Sequence, residues 1–426
     1  MNQADTAWML VATALVLLMT PALAFFYGGL VRTKNALNTM MMSFIALGVV
    51  GVVWAVIGYS LAFAPGNAAI GDLSRAFLRN VGLEPQGTIP HVLFMSYQGT
   101  FAIITAALIS GAIVERMRFS AYMLFIALWA IFVYSPVAHW VWGGGWLAQL
   151  GALDFAGGTV VHVNAGVAAL VAAIVLGPRR DFARQAFLPH SVPFTLLGAG
   201  LLWFGWFGFN AGSALAASPS AALAFTTTFL APMGTLVVWS LLDMRRNRRV
   251  TAVGGATAIV VGLVAITPAA GFVSPMSALA LGAISAVPSY YALLWRARTR
   301  LDDSLDVVAA HGLGGTVGAL LTGVFAEKAW NGTTDGLLFG NPSQLGIQAI
   351  AVAASILFSG AASFALLKLI GLVIPLRASA TEEGPGMDVS QHGEEAYMHG
   401  DGAILVLPDT AGAIGATAMA AEGGRA

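Results

Sequence analysis

The sequence predicts an all-α polytopic membrane protein. It has eleven transmembrane helices, built as two inverted five-helix repeats plus a long eleventh helix, with the N-terminus outside and the C-terminus inside. Three observations carry that expectation. Hydrophobic residues make up 58% of the chain and charged residues 9%, whereas a soluble domain needs about 25% charged residues to keep its surface in water. Apolar runs long enough to cross a bilayer recur along the chain, each of roughly 20 residues for about 30 Å of hydrocarbon. Basic residues, finally, gather in alternate connections between those runs.

The first repeat, about 7–176, holds runs at about 7–31, 36–63, 91–114, 120–141 and 159–176. The second, about 193–326, holds runs at about 193–216, 219–242, 250–268, 275–295 and 306–326, and a long last run covers 345–374. "ALA" at Ala22–Ala24 resembles a signal-peptide cleavage site. However, Asp5 precedes it without any lysine or arginine, and the apolar run continues through "FFYGGLV", so the first run is read as a membrane helix. The fifty glycines suit helices that pack backbone to backbone in lipid.

Orientation follows from the loops. One set of connections carries Arg32 and Lys34; Arg116 and Arg118; Arg179, Arg180 and Arg184; Arg245, Arg246, Arg248 and Arg249; Arg296, Arg298 and Arg300; and Arg377 follows the last span. The opposite set carries only Arg75, Arg79 and Lys328. The basic set faces the cytosol, which places the chain in the inner (cytoplasmic) membrane with an odd number of spans. Residues 1–377 form the transmembrane domain. Residues 378–426 form a polar, acidic cytosolic tail whose composition after Met398 predicts disorder.

Net charge is zero, which gives no argument for nucleic acid, and the absence of cysteine excludes disulfides and thiolate chemistry. No phosphate loop or metal cluster is present, so neither a covalent enzyme nor a cofactor is expected. What the chain does carry is two histidines in matching apolar surroundings. His162 stands in "VVHVNAGVAALV" and His311 in "VAAHGLGGTVGALL", each with a small residue at +3 and glycine at +4. They belong to the fifth and tenth spans, which follow Asp154 and Asp306. Inverted repeats place functional sites near the midplane at the repeat interface, and ionisable groups inside a membrane mark pathways. A lone histidine in a bundle is usually a packing residue, but a matched pair reads as functional.

Asp154, in "LDFAGGTVVH", precedes glycines at a helix start. It reads as a carboxylate that holds backbone amides, with direct cation binding as the alternative. Aromatic residues supply the other half of a candidate site. Trp142 and Trp146 flank three glycines, "LLWFGWFGFNAGS" brings Trp203, Trp206 and Phe209 before Ser213, and Phe101 follows "YQGT". Such a stripe packs or anchors at the interface, or its faces bind a small cation at ~0.5–2 kcal/mol each.

"FYGGLVRTKN", "GALDFAGGTVVHVNAG", "GWFGFNAGS" and "AAHGLGGTVGALLTG" together resemble the ammonium transporter family (Amt/Mep, with the Rh proteins more distant), and the resemblance runs from about Trp8 to Tyr397. It implies a homotrimer with one pore per subunit and transport of ammonium, ammonia and methylammonium. Trp142 and Ser213 match the family's outer recruitment site, with Phe101 lining it and Trp206 an aromatic beside it. Phe101 and Phe209 match a two-phenyl gate, and His162 and His311 the paired pore histidines. Asp154 matches the signature acidic residue. Both Trp142 and Ser213 are present, which favours the Amt branch over Rh. "GMDVSQHGEEAY" resembles the family's C-terminal segment, which couples subunits and meets PII signalling proteins. An ammonium sensor acting through a partner, and an electroneutral NH3 gas channel, are the alternatives.

Overall fold

A computed structural model describes residues 1–397, so the expectation for the stretch after Met398 lies outside the described residues. The structure is helical almost throughout. The first five long helices are α1 (Gln3–Leu30), α2 (Thr33–Phe63), α3 (His91–Ala112), α4 and α5 (Gly158–Leu176); α4 is the continuous run Phe119–Trp129, Ala130–Tyr134 and Ser135–Val141. They are followed by α6 (Val192–Gly212), α7 (Pro219–Asn247), α8 (Ala252–Ile266), α9 (Pro275–Arg296), α10 (Val308–Phe325) and α11 (Pro342–Val373). Ten helices of the described chain are long and apolar enough to cross a membrane, and α8 is a shorter apolar helix. The eleven expected apolar runs therefore appear as helices within a few residues of their sequence positions, ten of them long enough to be candidate spans.

The helix starts are written into the sequence. Asn2 accepts from the amides of Ala4 and Asp5, and Ser191, Ser218, Thr251 and Ser274 accept from amides in the first turns of α6, α7, α8 and α9. A proline within the first two positions of α6, α7 and α9 adds a residue whose missing N–H costs nothing there.

Helices α1 and α6 form the most extensive pairing and run antiparallel. Trp8 near the start of α1 donates to the Ala211 carbonyl near the end of α6, while Gly29 at the end of α1 abuts Thr195 at the start of α6. The fifth helices of the halves, α5 and α10, cross each other, and α11 lies along both. Each crossing helix opens in a π-helical segment, Gly158–Val163 in α5 and Val308–Leu313 in α10. Such wide turns rotate side chains off the regular stripe and are frequent at functional sites. They hold the two histidines.

The segment after α11 returns to the face that carries the end of α1. Ala378 donates to the Arg116 carbonyl, Arg118 pairs with Glu382 at 2.9 Å, and Asp388 accepts from the amides of Leu37 and Asn38 at 3.0 and 2.7 Å. Asp388 thereby satisfies two otherwise orphaned donors in the first turn of the α-helical part of α2, which starts at Ala36 after a short turn at Thr33–Asn35. Its carboxyl is pushed up to about 6 by burial, against the pull of those amides.

Candidate functional site

Near the start of α1 lies a cavity of about 290 Å³ lined by Phe94, Gln98, Phe101, Trp142, Phe155 and Ser213. Helical spacing puts Phe94, Gln98 and Phe101 on one stripe of α3. Ser213, just past the end of α6, donates its hydroxyl proton to the Phe209 carbonyl at 2.8 Å, which leaves its lone pairs as acceptors. Tyr97 donates to the same carbonyl at 2.9 Å and lies 3.3 Å from the Ser213 Oγ. Trp142 donates its indole N–H to the Asp154 carbonyl at 2.9 Å, which fixes its ring edge-on to Phe101 with centroids 5.8 Å apart. The floor is a stack of Phe101 on Phe209, centroids 4.1 Å apart and planes 25° from parallel, with exposures of 1% and 0%.

Behind that stack a narrow space is lined by His162, His311, Trp206, Leu23, Phe26 and Val260. The two imidazoles face each other through Nδ1 atoms 3.2 Å apart. A hydrogen bond there requires one ring to carry its proton on Nδ1 and the other to offer a bare Nδ1, so the two rings present opposite character at Nε2. The +4 glycines permit the meeting. A Cβ on Gly166 would lie 2.3 Å from the Gly312 backbone, and one on Gly315 would lie 2.8 Å from the His162 Cβ.

Beyond His311 the space widens into a cavity of about 700 Å³, at the face that carries the end of α1 and the C-terminal segment. Charges ring it. Glu115 binds Arg32 at 2.7 Å and Arg179 at 3.2 Å, Asp302 binds Arg179 at 2.9 Å, and Asp306 pairs with Arg296 at 2.5 Å. Burial alone would push the Glu115 and Asp302 carboxyls up, but the guanidiniums outweigh it and hold both below their usual range.

Trp142, Phe101 and Ser213 thus line one cavity, with Phe209 in its floor and the histidine pair behind. Trp206 does not line that cavity. It stands three residues before Phe209, almost one turn deeper on α6, where it stacks on His162 at 5.5 Å and donates to the Thr267 hydroxyl at 2.9 Å. Asp154 accepts from the amides of Gly157, Gly158, Thr159 and Val160 and from the Thr159 hydroxyl. The matching carboxylate before α10 is Asp303, which accepts from the amides of Val307 and Val308 at 3.1 and 2.7 Å. The sequence comparison that set Asp306 beside Asp154 is corrected accordingly. The signal was present, because Asp154 and Asp303 each stand eight residues before their histidine. Tyr97 and Thr267, which hold Ser213 and Trp206, were missed, since a lone hydroxyl in an apolar helix has no spacing to announce it.

The chain matches the Ammonium Transporter Family over residues 7–397. The ammonium transporter of Bacillus subtilis is 48% identical over 403 residues, covering 93% of this chain and 99% of the relative. The crystal structure of Saccharomyces cerevisiae Mep2 superposes with a TM-score of 0.84 at 37% identity, covering 89% of this chain and 88% of that one. A structure described as a sensor Amt protein superposes with a TM-score of 0.85 at 31% identity, covering 91% and 98%. On its residues and on these likenesses, this chain belongs to the ammonium transporter family, on its Amt branch.

Proposed function

We propose that this protein transports ammonium and methylammonium by recruiting the cation outside, separating its proton, and passing NH3 between the paired histidines. The reading takes the chain as eleven spans with the N-terminus outside, the cavity under Trp142 and Ser213 as the outer site, and the 700 Å³ cavity as the cytosolic mouth. Trp142 and Phe101 offer aromatic faces, and Ser213 an acceptor oxygen, to a cation that still touches water. The Phe101–Phe209 stack then stands between that site and the histidines as the gate. Carrying an intact ion past it would forfeit hydration, on an idealised Born scale of order 20 kcal/mol at low dielectric. Ammonia and a proton that part at the gate avoid that cost. Potassium has no proton to surrender and is refused.

The observation that carries the reading is the imidazole pair, its Nδ1 atoms 3.2 Å apart. Passing the shared proton from one Nδ1 to the other requires each ring to exchange the character of its Nε2, which is what a proton relay does. Trp206, stacked on His162, holds the ring in plane and is assigned to the lumen rather than to the outer site. Asp154 serves as the structural cap of α5, its charge spent on amides. The trimer, the inner membrane and a PII partner on the cytosolic face belong to the same reading. The docked C-terminal segment and the basic loop Arg245–Arg249 support that partner.

A sensor role is the second reading, favoured by the likeness to a protein described as a sensor. Flux separates the two. The purified chain in liposomes on a solid-supported membrane should give current on addition of ammonium and none with potassium. Ammonium binding without flux would instead favour the sensor, and uptake without current an NH3 gas channel.

A further inference from the structure

The repeats share a backbone turn three residues after the capping carboxylate, and what fills it differs. In the first repeat the position is Gly157, with φ +114°; in the second it is Asp306, with φ +62°. That region favours glycine because a Cβ crowds the backbone there, and aspartate tolerates it better than most side chains but less well than glycine. The fold asks for glycine at this turn. The cytosolic copy keeps a carboxylate.

Asp306 also differs from the other carboxylates around the cytosolic mouth. Glu115 is spent on the Arg32 backbone amide and guanidinium and on Arg179. Asp302 is spent on the backbone and side chain of Arg179, and Asp303 caps α10. Asp306 meets a single charged partner, the Arg296 Nε 2.5 Å from its Oδ1, as an ion pair without a formed hydrogen bond, and its Oδ2 accepts no hydrogen bond from the described residues either. A quarter of its side-chain surface stays open, and it lines the same cavity as His311, five residues further along.

We propose that Asp306 is a second ammonium-binding site, at the cytosolic mouth, where its carboxylate holds the cation in competition with the Arg296 guanidinium. A cation with N–H donors suits the free Oδ2, and Arg296, on α9, takes the place of the departing ion so that the carboxylate is never left uncompensated. The outer site uses aromatic faces and a neutral hydroxyl, whereas this one uses a charge with a built-in competitor. The two mouths therefore bind the same ion by different chemistry and with different affinities. This inference rests on the transport reading above.

The test is labelled methylammonium flux through the full chain in vesicles with one insertion orientation, measured from each side for the wild type, Asp306→Gly, Asp306→Asn and Arg296→Gln. Asp306→Gly relieves the positive-φ turn but leaves Arg296 unpaired, so its thermal midpoint is measured beside the wild type and Arg296→Gln to show that each variant is folded. With methylammonium on the cytosolic side, half-saturation should rise at least fivefold in Asp306→Gly and Asp306→Asn and fall in Arg296→Gln. From the outer side it should stay within twofold in all three. Unchanged cytosolic half-saturation in both Asp306 variants overturns the site. So does a shift in Arg296→Gln of the same size and direction as in Asp306→Gly, because it would mean that the two residues only neutralise each other. Absence of flux in the wild type would overturn the transport reading itself, and this inference with it.

Discussion

At the scale of single residues the proposed outer site is a matter of what each group has left to offer. Trp142 has given its N–H to the Asp154 carbonyl and Ser213 its proton to Phe209, so a ring face and two lone pairs remain for a cation. Trp142→Leu removes the face and keeps an apolar volume. If cation–π contact supplies ~2 kcal/mol, apparent KM for ammonium should rise up to ~30-fold with maximal current largely kept; an unchanged concentration dependence would remove Trp142 from the site. The histidines were legible as a pair because polar groups are rare in this chain, and their +4 glycines because both copies carry them. Gly315→Ala should cost about 1–3 kcal/mol, since its methyl would meet the His162 Cβ and force the crossing apart. Gly346→Ala in α11, with nothing within 4 Å, is the control whose thermal midpoint should not fall. Trp206 was legible as aromatic but not by depth, because a stripe on a helix gives direction around the axis and says nothing of where the lumen narrows.

At the scale of elements, span positions were readable from hydropathy, since α1 to α11 are apolar runs with polar starts. The π-helical openings of α5 and α10 were not, because a wide turn leaves no compositional mark; it follows from the packing of two helices that cross at glycine. The docking of the C-terminal segment on its own chain was not legible, since its anchors lie some 350 positions apart in sequence, as with Asn38 and Asp388. That docking has a pH sign. A free aspartate titrates near 3.9, while the docked Asp388 is pushed up to about 6 by burial. The docked form therefore holds its proton more tightly, so docking gains as pH falls from about 6 towards 4 and weakens as pH rises through 6. Burial also lowers the His392 pKa in the same segment, which favours docking as pH rises, so the Asp388 effect is read against Asp388→Asn. Relative to that variant, wild-type proteolysis of the segment 378–397 should accelerate between pH 5 and 7, by no more than ~100-fold. A ratio of wild-type to Asp388→Asn cleavage rates that stays flat across this interval would contradict the assignment.

At the scale of the whole molecule, the proposed inverted repeat would account for what the centre holds in pairs: two crossing helices, two capping carboxylates, two histidines. Near-symmetry also shows where the halves part company, at Gly157 against Asp306 and at the aromatic chamber against the charged mouth. Both mouths can meet water, and the two-phenyl stack and the imidazole pair separate them. The central claim is that this pair lets ammonium through as ammonia and a proton while refusing an ion that cannot divide. The most direct measurement is current through liposomes bearing wild type, His162→Ala and His311→Ala, with ammonium and with potassium. The account predicts ammonium current without potassium current in the wild type, and in each variant either loss of the ammonium current or admission of potassium. Wild-type ammonium current with no potassium leak in both variants would contradict it.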